Sequence, residues 1–154
     1  MNNQYITTFY EADHDRLDGM FKDFQRHKLI DPEAARACLE EFSETLRRHI
    51  AWEEEILFGI FERRNGVHAG GPTHVMRREH QDILKHLDAI LDKFDAGDAE
   101  SGYHEQMLLN ILAVHSLKEE QVLYPWIDRL LTDAERTNVF TRMKEYSPKR
   151  AVPV

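Results

Sequence analysis

His14 and His80 stand 66 residues apart, and so do His49 and His115, Glu53 and Glu119, and Glu54 and Glu120. Imidazole nitrogens and carboxylate oxygens are the donors that first-row transition metals accept, so the residues best fitted to hold an ion occur twice, in one order. Each copy pairs an acidic residue with a histidine (Asp13-His14, Glu79-His80). A His-x-x-x-Glu-Glu-x-x-Leu-aromatic run follows 35 residues after that histidine. The runs read HIAWEEEILF from His49 and HSLKEEQVLY from His115. Apolar partners keep the same offset: Leu17 with Ile83, Phe21 with Leu87, Phe24 with Ile90, Leu46 with Leu112. The pattern is at once an internal repeat and a ligand set.

The elements that must carry these residues are helices. Apolar positions recur at helical spacing from about Tyr5 to Leu29, and no useful strand-like alternation appears. Asp31-Pro32 gives an N-cap with proline at the first helical position, and the helix it opens should run to Arg64 before Asn65-Gly66 stops it. Val67 to Gly71 reads as a loop, and Pro72 opens a third helix that fades at Asp95-Ala96-Gly97. A fourth starts near Asp98 and meets Pro125, which should kink or end it. Thr132-x-x-Glu135 is a capping-box pattern for a short fifth helix ending near Tyr146. Four long amphipathic helices with short connections favour an all-α, antiparallel up-down-up-down four-helix bundle over residues 1–146, with 147–154 as a flexible tail.

This topology turns the spacing into a site. Residues of an antiparallel hairpin share a level when they are equally far from the turn. The midpoint of His14 and His49 falls at Asp31-Pro32, and that of His80 and His115 at Gly97-Asp98, both turn positions. Positions i and i+4 lie about 40° apart around a helix, so Glu53 faces with His49 and Glu119 with His115. Each hairpin then offers two imidazoles and one carboxylate, and packing the hairpins together places Glu53 and Glu119 to bridge two ions. The donor set His14, His49, Glu53, His80, His115 and Glu119 favours Fe, Mn, Zn or Co over Ca or Mg. Six groups cannot saturate two six-coordinate ions, so positions stay open for water or a small exogenous ligand. An apolar lining of Phe21, Trp52, Phe58, Ile111 and Tyr124 is expected around them.

The bulk numbers narrow the field. A chain of 154 residues is long enough to bury one core, and its single cysteine, Cys38, excludes an intramolecular disulfide and, as the main chemistry, thiolate metal sites. A net charge of −8 disfavours nucleic acid as a partner, the short Lys149-Arg150 pair notwithstanding. The polar start MNNQYITTFY is unlike a signal peptide, and the most apolar run, Ile56 to Phe61, is far short of a membrane span. A cytoplasmic protein that engages no membrane is expected.

On these residues the chain resembles the hemerythrin-like, or HHE cation-binding, family, whose motif H…HxxxE…H…HxxxE is matched by His14, His49-x-x-x-Glu53, His80 and His115-x-x-x-Glu119. The resemblance covers about residues 5 to 130, and GPTHVMRREH, ending at His80, is similar to bacterial members. It implies a four-helix bundle around two iron ions with an oxo or hydroxo bridge, meeting oxygen, nitric oxide or peroxide. Mn or Zn remain alternatives. The oxygen carriers of that family add a histidine four residues from the third-helix ligand, but Met76 and Leu84 flank His80 here, and Glu120 stands where the carriers have an aspartate ligand. Binding of the metal is therefore better supported than reversible oxygen carriage; sensing, redox turnover of peroxide or nitric oxide, iron delivery for repair of iron centres, and a structural metal stay open.

The remaining polar residues read blandly. Asp13 and Glu79 are expected at the surface, and Glu54 and Glu120 as solvated acids or supports for the ligands. His27, His68, His74, His86 and His104 lack the register. Cys38, which aligns with His104 by the 66-residue offset, reads as a small core or boundary residue.

Overall fold

A computed structural model describes residues 4–66, 71–98 and 100–146. These residues form helices α1 (Ile6–His27), α2 (Pro32–Trp52), α3 (Phe58–Asn65), α4 (Pro72–Asp95), α5 (Gly102–Lys118), α6 (Tyr124–Leu130) and α7 (Asp133–Glu145). No strand occurs among the described residues. The helix starts follow the local chemistry. Asp31 accepts from the Ala34 amide at 3.2 Å with Pro32 next in line, and Thr132 and Glu135 form the reciprocal capping box. The turn before α5 uses Gly97 at φ +76°, and α5 begins at Gly102, later than the expected Asp98. Most of the expected loop Val67 to Gly71, and all of the expected tail 147–154, lie outside the described residues.

Two π-helical turns were not expected. Glu53–Leu57 joins α2 to α3 and Glu119–Leu123 joins α5 to α6, each starting on a candidate ligand and each 66 residues from the other. They also correct the reading of Pro125, which neither ends nor interrupts the helical run. The π turn closes with the Tyr124 amide on the Glu119 carbonyl, and Pro125 sits in the first turn of α6, where its missing amide hydrogen costs least.

Contacts between helices run in opposite directions along the chain. Rings of α1 and α2 meet as His14 with His49 and Phe21 with Phe42. Ile6 and Thr7 meet Asp128, His14 meets Glu120, and Gln25 meets Glu105. α2 faces α4 through Arg47 with Asp88 and Arg36 with Asp95. The candidate ligand layer lies between two apolar clusters. One holds Leu17, Phe21, Phe24, Leu39, Phe42, Ile83, Leu87 and Leu108 near the hairpin turns. The other holds Tyr10, Leu57, Phe58, Phe61, Met76, Tyr124, Val139 and Met143, so α7 covers that end.

Two polar contacts fix the ends of this arrangement. The start of α1 has no cap of its own; Asp128 of α6 supplies one, accepting from the amides of Ile6 at 2.8 Å and Thr7 at 3.0 Å and from the Thr7 hydroxyl at 2.7 Å. A carboxylate on exposed helix amides gains from both hydrogen bonding and the helix dipole. Asp128→Ala is expected to destabilise the fold by about 1–2 kcal/mol, read as a lower denaturant midpoint at unchanged m-value.

At the other end, Glu105 is buried and accepts from Lys28 at 2.7 Å, Ser101 at 2.5 Å and Gln25 at 3.1 Å. Burial favours the neutral acid, but these donors prevail and hold its pKa below the ordinary 4.5. A depressed carboxyl pKa stabilises the fold above the unfolded value and loses that contribution as pH falls through the folded one. Glu105→Ala, which removes hydrogen bonds to a charged group, should cost about 1.5–3 kcal/mol at pH 7, and the gap from wild type should shrink in denaturant titrations as pH drops below about 4.5.

Candidate metal centre

The six residues singled out by the repeat converge. His14 comes from α1, His49 from α2, His80 from α4 and His115 from α5, while Glu53 and Glu119 open the two π turns. All six are nearly or completely buried, the two glutamates fully. The ring centroids of His14 and His49 lie 4.9 Å apart, and those of His80 and His115 also 4.9 Å, as expected if each hairpin levels its own pair. Glu53 Oε1 is 3.4 Å from His49 Nε2 and 3.3 Å from His80 Nε2. Glu119 Oε1 is 3.3 Å from His14 Nε2 and 3.2 Å from His115 Nε2. Metal–ligand bonds of about 2.0–2.2 Å place neighbouring donors roughly 3.0–3.5 Å apart, so these separations suit ligands sharing an ion. Among the described residues, two groups of candidate ligand atoms emerge, Glu53, His80, His115 and Glu119 in one and His14, His49 and Glu119 in the other. Glu119 belongs to both.

The orientation of each imidazole has a visible cause. His49 Nδ1 donates to Asp13 at 2.7 Å, His115 Nδ1 to Glu79 at 2.8 Å, His80 Nδ1 to Glu54 at 2.6 Å and His14 Nδ1 to Glu120 at 2.9 Å. With every Nδ1–H engaged by a carboxylate, every Nε2 is left facing inward, the arrangement that fixes the tautomer of a metal-binding histidine. Glu54 and Glu120 thus act as supports for the ligands. Asp13 and Glu79 correct the expectation of a surface role: Asp13 is buried, and both hold the histidine of the neighbouring helix. Their place one residue before a repeated histidine was the sequence signal for this.

A donor set without an ion is electrostatically poor. Glu53 Oε1, His80 Nε2 and both oxygens of Glu119 are buried and have no hydrogen-bond partner among the described residues. Orphaned buried groups of this kind cost free energy unless something pairs them, and metal cations held by this donor set would do so. The protons tell the same story. Burial opposes a charge on His49, yet the Glu53 carboxylate and the bond to Asp13 outweigh it and push its pKa up to about 10. Burial likewise opposes His80, and Glu53 and Glu54 push it up to about 9. For Glu53, burial raises the pKa, but Glu119 and the two imidazoles hold it well below the ordinary range. The pocket gathers positive charge, and it has the donors to take that charge from a metal.

The walls break the twofold relation. Tyr124 donates to Glu53 Oε2 at 2.8 Å and stacks on Tyr10 at 4.7 Å, whereas its counterpart in the repeat, Phe58, lies face to face with His80 at 6.0 Å and has no hydroxyl to offer Glu119. Burial and then the glutamates push both tyrosine hydroxyls well above their ordinary pKa, keeping them protonated donors. Of the expected lining, Phe58 and Tyr124 lie against ligands. Phe21, Trp52 and Ile111 do not line the cavity at the ligands, whose apolar walls are Leu17, Leu46, Ile50, Ile83 and Leu112. Tyr10 was not anticipated. Asp18, Leu112 and Ser116 border both this cavity and a surface depression between α1 and α5. Met76, four residues before His80, is buried in the apolar cluster that also holds Tyr10. His74 is exposed, and His68 lies outside the described residues.

Comparison with known proteins gives one family match and a set of partial relatives. The model of the hemerythrin HHE cation binding domain matches residues 5–127. The iron-sulfur cluster repair protein YtfE of Yersinia pestis (strain Pestoides F) is 37% identical over 59 residues, covering 38% of this chain and 27% of that protein. The protein of the same name from Yersinia pseudotuberculosis serotype O:1b (strain IP 31758) matches to the same extent. The matched stretch is thus about a quarter of the length of these relatives. No solved structure matches the chain. No helix among the described residues is long and apolar enough to cross a membrane.

Proposed function

Because the chain belongs to the hemerythrin HHE cation-binding family, we propose that its central residues form a carboxylate-supported dinuclear iron site in an antiparallel four-helix bundle, and that this site binds or senses a small oxidant. The observation that carries the reading is the convergence of four Nε2 atoms on two fully buried glutamates with unpaired oxygens. His14 and His49 would hold one ion, His80 and His115 the other, and Glu53 and Glu119 would serve both. When bound, a pair of irons supplies accessible redox steps and open positions for oxygen, nitric oxide or peroxide.

The chain's own residues supply the setting. The four outer carboxylates hold the imidazoles in place, Tyr124 offers a protonated hydroxyl at the Glu53 side, and leucine and isoleucine side chains wall much of the space beside the ligands. Only a small ligand suits such a narrow apolar space, which favours a diatomic or peroxide over an organic substrate. Anaerobically iron-loaded protein titrated with oxygen, nitric oxide and peroxide should give a saturable change in near-ultraviolet absorption for at least one of them. Spectra indifferent to all three would overturn oxidant binding.

The partial relatives favour a second reading, in which the same ions are delivered to damaged iron centres, as the name of those relatives suggests for them. Transfer of iron from loaded protein to a chelator or an iron-depleted acceptor, faster after oxidant exposure than before, would distinguish delivery from simple binding.

A further inference from the structure

We propose that His86 and His104 form a second, separate binding site for a late first-row divalent cation, at the turn end of the α4–α5 hairpin. Their Nδ1 atoms face one another at 3.1 Å, close to the 3.2–3.4 Å between donors in the central layer. The rings lie 5.3 Å apart at 44°, which nearly repeats the 4.9 Å and 40° of His14 with His49. Two helices therefore hold this pair as they hold the central ones.

Packing does not require imidazoles there. By the 66-residue offset the counterparts of His86 and His104 are Met20 and Cys38, which pack against the apolar cluster near the turns. The second half of the chain places two nitrogen donors where the first half places a methionine and a cysteine that pack on the apolar cluster. Only one hydrogen can lie between the facing Nδ1 atoms, so a bare pair is joined by a single weak contact. When the donating ring shifts that hydrogen to its own Nε2, both Nδ1 lone pairs are free to engage an ion. Burial, and then the His104 ring, hold the His86 pKa below its ordinary value, which keeps the ring neutral and able to coordinate. Asp82, one helical turn before His86, adds a favourable charge, Lys85 an opposing one, and the chain as a whole carries −8.

Both histidines are half-buried, so water can complete the coordination shell. Two imidazoles and water suit Cu2+ best and Zn2+ or Ni2+ next, with Fe2+ weaker. The site is distinct from the central one: His86 stands six residues after His80, about 9 Å along α4. It does not depend on which ions the centre holds.

The test uses purified protein of measured metal content, titrated with Zn2+ by calorimetry and with trace Cu2+ while the ring resonances of the histidines are followed by NMR. Zn2+ should bind without releasing central metal, and Cu2+ should broaden His86 and His104 first. His86→Ala and His104→Gln should each weaken Zn2+ binding at least roughly tenfold, because two-point attachment is lost, with helicity and central metal unchanged. If a variant loses helicity, the Cu2+ broadening in the wild-type protein decides. Zn2+ affinity equal to wild type in both variants, Zn2+ taken up only in exchange for central metal, or broadening centred on other histidines would overturn the proposal.

Discussion

Glu119→Gln is expected to abolish metal binding at the centre while leaving the chain helical. Glu119 Oε1 stands 3.3 Å from His14 Nε2 and 3.2 Å from His115 Nε2, so it reaches one histidine of each hairpin, and it belongs to both groups of candidate ligands. The amide keeps the shape and removes the charge, and a neutral oxygen cannot offset two closely spaced dications. The consequence reaches stability as well as binding. An ion that binds only the folded chain stabilises it by about 4 kcal/mol at 1,000 times its dissociation constant. The wild-type melting temperature should rise on metal addition and fall on chelation, and that of Glu119→Gln should respond to neither. A variant that still takes up metal and melts in a metal-dependent way would show that Glu119 is no ligand.

The next largest effect should come from a residue that touches no ion. Asp13→Ala is expected to lower metal affinity about 10–100-fold, the usual cost of removing the carboxylate that orients a ligand histidine. The four orienting acids should not be equal. The Asp13 side chain is 2% exposed, against 23% for Glu79, 31% for Glu54 and 30% for Glu120. Water can replace an outer carboxylate, but it cannot easily reach His49 Nδ1, so that ring loses both its orientation and its partner. Competition titrations with a chelator should rank Asp13→Ala as the most damaging of the four. Asp13→Asn, whose amide oxygen still accepts from His49, should fall between Asp13→Ala and wild type. Four equal losses would mean that orientation is not what these acids contribute.

Much of this was legible because the information was local or repeated. The caps at Asp31 and Thr132 need only a few neighbouring residues, and the ligands announced themselves by recurring at one spacing. Asp13 and Glu79 carry the same repeat, yet the sequence alone points them to the surface, since adjacency to a ligand in a helix turns a side chain about 100° away from it. What that geometry omits is the next helix: Asp13 turns away from His14 and towards His49. The π turns were hidden for another reason. An apolar stripe through Ile56, Leu57 and Phe61 fits a regular helix, so nothing in the spacing marks the extra residue at Glu53 or Glu119. Asp128 as the cap of α1, and Tyr10 stacked beneath Tyr124, are contacts across more than a hundred residues of chain. Only the folded arrangement brings them together.

The most direct test of the account is the count of ions at the centre. Protein reconstituted anaerobically with excess Fe2+ and desalted should retain about two irons per chain, and the Glu119→Gln variant close to none. Wild-type protein that retains no iron, or only one ion per chain that Glu119→Gln retains equally, would contradict a dinuclear centre built on these six residues.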